Sequence, residues 1–75
     1  MHPLNSHVAC VSSAPGLYRL YYQSRLVGEA VTVDNDAFHV SHFYTAAGRV
    51  VASLCDAANW LDKIEHADAV PQGIG

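Results

Sequence analysis

Basic residues are scarce in this chain. Arg19, Arg25, Arg49 and Lys63 are the only four among 75 residues, against seven acidic ones, and the formal net charge is −3 with histidines neutral. Phosphate neutralisation supplies most of the affinity of nucleic-acid binders, so that class displays a basic patch or stripe. Four scattered cations make a poor one, and nucleic acid is not the expected partner. Cysteines are fewer still. Cys10 and Cys55 are too few and too far apart to build a disulfide framework. Each reads as a small hydrophobe, Cys10 in an apolar run and Cys55 in a helical pattern, with a single bridge between them as the alternative.

Other absences narrow the class further. No stretch approaches the ~20 apolar residues of a membrane span. Residues 1–6 lack the basic segment and apolar run of a secretory signal, so the expected location is the cytoplasm. There is no glycine-rich phosphate loop, and no serine sits in a Gly-x-Ser-x-Gly elbow. A domain of this length buries only about 60% of its unfolded surface and has little material for a deep cleft. The expectation is a protein without catalytic residues, cofactor or metal. His39 and His42 invite a metal reading, but on a strand three residues apart they fall on opposite faces.

What the chain has is apolar material, at 51% of its residues, enough to fold. The 75 residues read as one domain: a flexible lead-in over 1–6, a sheet over 7–52, a helix over 53–67 and a tail over 68–75. Residues 7–12 are a short apolar run, ended by Pro15-Gly16, a pair that favours a turn with positive φ at glycine. Tyr18, Leu20 and Tyr22 then alternate with Arg19, Tyr21 and Gln23, the period of a strand.

A turn near Gln23 leads into residues 26–33, whose register depends on loop length. Three loop residues place Leu26, Gly28 and Ala30 on the face of Leu20; two place Val27, Glu29 and Val31 there. The first is preferred because it buries no glutamate. Gly28 marks either a bulge or a site where an aromatic ring lies over the backbone. Asp34-Asn35-Asp36 forms a turn, and residues 37–44 a strand with Phe38, Val40, His42 and Tyr44 on one face. After Ala46-Ala47-Gly48 a short fourth strand covers 49–52.

The period then changes to 3.6. Leu54, Ala57, Ala58, Leu61 and Ile64 share one helical stripe with Trp60 at its border, and Ser53 is placed to cap the helix at Asp56. The expected fold is therefore α+β: a small antiparallel meander of three to five strands with one C-terminal helix across a face.

Two surfaces are candidates for binding. The second sheet face carries Tyr21, Val27, Val31, His39 and Phe43, with Arg19 beside Tyr21, unless the strand at 7–12 or the tails cover it. Of these, Arg19, Tyr21, His39 and Phe43 are the candidate contact residues. The outer face of the helix carries Asp56, Asn59, Asp62 and His66, an acidic surface suited to a basic partner. A base-stacking platform made of Tyr18, Tyr21, Tyr22, Phe38, Phe43 and Tyr44 is the weaker alternative, because the flanking cations are missing.

From Gly48 the chain reads Gly-Arg-Val-Val-Ala-Ser-Leu-Cys-Asp-Ala-Ala-Asn-Trp-Leu, a strand, a capped turn and an Ala-Ala-x-Trp-Leu helix. This ending resembles the last third of small proteins carried by phages and mobile elements, among them compact anti-CRISPR proteins. The resemblance is one of architecture over about residues 17–66, and it transfers no functional residues. It implies a stoichiometric inhibitor that docks on a subunit of a bacterial CRISPR–Cas complex in the host cytosol. The ending is also similar to small antitoxins, which implies an antitoxin-like or adaptor module as the alternative. The expected partner is thus a protein, with a second copy of the chain as a further option and no membrane.

Overall fold

The computed structural model describes residues 1–69, apart from the side chains of Asn35, Asp68 and Ala69. Six strands form one antiparallel sheet in the order β1-β2-β3-β4-β5-β6, and a single helix follows. They are β1 (His2–Pro3), β2 (Val8–Ala14), β3 (Leu17–Tyr22), β4 (Arg25–Thr32), β5 (Phe38–His42), β6 (Gly48–Val51) and α1 (Leu54–Ala69). The α+β meander expected from the sequence is present, with six strands rather than three to five.

The extra strand comes from residues 1–6, which do not form a flexible lead-in. His2 and Pro3 pair with Cys10 and Ala9. Asn5 then closes a tight turn: its Oδ1 accepts from the N–H groups of His7 and Val8 at 2.9 and 2.8 Å. Its Nδ2 donates to Asn59 Oδ1 on α1 at 2.9 Å, which ties the N-terminal segment to the helix.

The turns follow local chemistry. Gly16 adopts φ +76° at the β2–β3 hairpin, as Pro15-Gly16 predicts. The β3–β4 hairpin has two loop residues, Gln23 and Ser24, both at positive φ, the geometry that matches strand twist. The three-residue loop expected here is therefore incorrect, yet the preferred face is largely recovered. A bulge between Leu20 and Tyr21 puts Tyr21 opposite Leu26 but Leu20 opposite Gly28, leaving Val27 as the extra residue. Gly28 and Ala30 thus join Leu20 and Tyr18, while Leu26 turns to the other face.

Next to the bulge, the backbone of β5 comes close to Gly28. A Cβ there would lie 2.2 Å from the Ser41 carbonyl oxygen, and Leu61 Cδ1 sits 3.5 Å away. A leucine methyl group, not an aromatic ring, covers this glycine. Asp34–Asp36 forms the expected turn as one stretch of 3-10 helix.

Ser53 Oγ accepts from the Asp56 N–H at 3.1 Å, satisfying one orphan donor of the first turn. The helix runs to Ala69, two residues past the expected end at 67, and the rest of the expected tail lies outside the described residues. Ala57 and Leu61 are fully buried against Cys10, Leu20, Val27, Ala30 and Val40, and Ala58 is fully buried beside them on the helix. Leu54 and Trp60 pack at the margin of this core. Cys10 and Cys55 are both free thiols, and Cys55 is exposed rather than buried in the helix stripe. Among the described residues no helix is long and apolar enough to cross a membrane.

Candidate interaction surface

Strand register sorts every side chain of the sheet into one of two faces. The inner face, under α1, carries Val8, Cys10, Leu20, Tyr18, Ala30, Val40, Phe38 and His42. The outer face has three cross-strand rows. One is Ala9, Tyr21 and Leu26. The middle row is Val11, Arg19, Glu29, Ser41 and Gly48. The last is Leu17, Val31, His39 and Val50.

Nothing among the described residues lies over this outer face. β2, the element that could have covered it, extends the sheet edgewise beside β3. Val11, Val31, Val33 and Val50 are consequently exposed, at 37%, 39%, 39% and 59%. Phe43, at 45% exposed, continues the outward phase of β5 just past its end, with its N–H donating to the Val27 carbonyl at 2.9 Å. Arg19 and His39 are exposed and Tyr21 is half-buried, so the four candidate residues of this face share it. Val27 does not belong with them: the bulge turns it inward and it is fully buried. The face therefore has two apolar bands separated by a polar row. Arg19 lies in that row, its Nε donating to Ser13 Oγ at 3.2 Å.

The aromatic platform does not form. Tyr18 and Phe38 pack edge to face on the inner side, with ring centroids 6.0 Å apart. Tyr22 lies against His7 at 5.7 Å. Only Tyr21 and Phe43 of the six rings point outward on the sheet, while Tyr44 stands at its end, 62% exposed.

The acidic helix face is less available than its sequence suggests. Asp62 Oδ2 is 3.1 Å from His7 Nδ1, and Asn59 holds Asn5. Asp56 and His66 stay exposed. Two of the four candidate residues are thus occupied in fastening the N-terminal segment.

The buried carboxylate is a group that the sequence pattern did not single out. Glu65 is 4% exposed and sits between Arg25, whose Nη2 donates to Oε1, and His42, whose Nε2 is 2.6 Å from Oε2. His42 is 1% exposed. Its Nδ1 accepts from the Thr45 backbone N–H at 3.1 Å, a group that can only donate. Nε2 therefore carries the ring proton and donates it to Glu65. Tyr44 closes the outside: its ring centroid is 5.1 Å from the Arg25 guanidinium carbon, and its hydroxyl donates to the Leu26 carbonyl at 3.2 Å. Among the described residues, every buried side-chain nitrogen and oxygen has a partner. A signal was present, since position 65 lies four residues beyond Leu61 on the buried stripe and faces the inward phase of β5.

His39 and His42 lie on opposite faces, as their spacing requires. Among the described residues, no group of three or more His, Cys, Asp or Glu side chains is arranged to hold a metal ion. Comparison with protein-family models, curated proteins and solved structures finds no match to this chain.

Proposed function

We propose that this protein works by binding another protein through the outer face of its sheet. The observation that carries this reading is the uncovered face itself. A small domain that leaves Val11, Val31, Val33, Val50 and Phe43 open to water on one side of a sheet has a surface suited to a partner. Its make-up is that of an interface: apolar bands, a polar row between them, and Tyr21 with Arg19 as anchor types. The acidic helix face is the weaker candidate, because Asp62 and Asn59 already have partners within the chain.

The finer reading is a non-catalytic, stoichiometric inhibitor of a bacterial CRISPR–Cas complex, acting in the host cytosol and encoded by a phage or mobile element. It rests on the sheet-then-helix architecture, with an antitoxin-like or adaptor module as its competitor. Titration of the protein into a purified CRISPR–Cas effector, with target cleavage as the readout, tests it. Cleavage should fall to zero near one equivalent and should be insensitive to added salt, because the contact is largely apolar. Undiminished cleavage at excess protein would remove the inhibitor reading for that effector and leave the adaptor reading standing.

A further inference from the structure

The two edges of the sheet are not equivalent. β1 is two residues long, and one of them is Pro3, which has no N–H to offer. β6 has four residues and no proline, and it pairs with β5 on one side only. Its hydrogen-bond phase follows from the register. The His42 N–H donates to the Ala47 carbonyl at 2.9 Å, which makes 42 and 47 a bonded pair. Val40 with Arg49 and Phe38 with Val51 are then the next bonded pairs. Gly48 and Val50 must direct their backbone N–H and C=O groups away from β5. Unpaired groups of this kind are what an added strand binds.

Beside this edge, between β6 and α1, lies a half-open cleft of about 540 Å³. Arg49 and Val51 line it from the strand, and Asp56, Asn59, Trp60 and Lys63 from the helix. Trp60 is only partly buried, so part of the indole remains available. Arg49 and Lys63 are exposed, and neither makes an ion pair among the described residues. Half of the four basic residues in a chain of net charge −3 therefore border one cleft that holds a single carboxylate.

We propose that β6 and this cleft bind an extended peptide that carries carboxylate side chains and adds to the sheet as a seventh strand. The outward groups of Gly48 and Val50 supply main-chain hydrogen bonds. Period-two alternation sends every second side chain of the peptide toward the cleft. There an apolar side chain meets Trp60 and Val51, and a carboxylate meets Arg49 and Lys63. Arg49 and Val51 place the cleft on the helix side of the sheet, and Val50 is shared with the outer face; this second binding mode rests on Arg49, Trp60 and Lys63, which the proposed role of the outer face does not use.

The test uses a capped heptapeptide with serine at the odd positions and valine, glutamate and valine at the even ones, which puts both side-chain types on one face, and its counterpart with lysine for glutamate. Trp60 is the only tryptophan, so its fluorescence reports on the cleft directly. The glutamate peptide should give a saturable change that weakens as salt is raised, and should slow amide exchange at Val50. Combined Arg49→Glu and Lys63→Glu, at two exposed positions, should weaken binding by about tenfold or more while the circular dichroism spectrum is unchanged. No saturable change with the glutamate peptide would overturn the proposal. Equal binding of the lysine peptide would overturn its electrostatic basis. Slowed exchange at Val50 that rises with protein concentration, without peptide, would assign the edge to a second copy of the chain instead.

Discussion

Removal of the Glu65 carboxylate is the most informative perturbation of the fold. Glu65→Ala strips the acceptor from the fully buried His42 Nε2–H and empties the space between α1 and β5. An unsatisfied buried donor costs about 1–3 kcal/mol. A 75-residue domain has only roughly 4–11 kcal/mol of stability at 0.05–0.15 kcal/mol per residue. The variant should therefore lose a large part of its stability. Arg25→Ala should cost less, because Arg25 is 55% exposed and Glu65 keeps its bond from His42. Urea melts followed by Trp60 fluorescence, at about 1 kcal/mol per molar urea, would resolve the order. A double-mutant cycle with His42→Ala should show coupling of roughly 0.5–3 kcal/mol. A Glu65→Ala midpoint within experimental error of the parent would refute the network as a structural element.

Four further outcomes are expected. Gly28→Ala should destabilise by roughly 1–3 kcal/mol or more, because its Cβ would meet the Ser41 carbonyl oxygen; an unchanged melting curve would contradict the bulge geometry. Ser53→Ala should cost ~1 kcal/mol through loss of the helix cap, read in the same melts. In alkylation followed by mass spectrometry, Cys55 should react in the folded protein and Cys10 only on unfolding. Burial also pushes the Cys10 thiol up. Its contribution to stability is thus present below the unfolded thiol range and lost as pH rises through the folded value. The parent should lose stability between neutral and strongly alkaline pH more steeply than Cys10→Val does.

Much of the fold was legible because period and turn chemistry agreed locally. Ser53 before an apolar stripe of spacing three and four specified the start of α1, and Pro15-Gly16 and Asp34-Asn35-Asp36 marked their turns. The bulge at Val27 was not legible, since nothing in the local pattern distinguishes it from regular alternation. β1 was missed for a similar reason. A two-residue strand containing Pro3 has no period to read, and it is held by Asn5 reaching Asn59 across 54 positions of sequence. The shared face of Arg19, Tyr21 and His39 followed from alternation, and Val27 left it where the bulge broke the phase. Glu65 was overlooked because a glutamate on a helix is usually solvated. Its burial depends on Arg25 and His42, which only the folded chain brings to it.

The measurement that bears most directly on the outer face is a tagged pull-down from bacterial lysate containing CRISPR–Cas effector complexes, read by quantitative mass spectrometry. Three baits are compared: the parent protein, Val31→Glu with Phe43→Glu, and Asp56→Lys with His66→Lys. All four positions are exposed, so the fold should persist. One protein should be recovered in stoichiometric amount by the parent and by the helix variant, and its recovery by the sheet variant should fall about 30-fold, as for anchors worth about 2 kcal/mol. Equal recovery by the sheet variant, or loss only from the helix variant, would contradict the assignment of binding to the outer face.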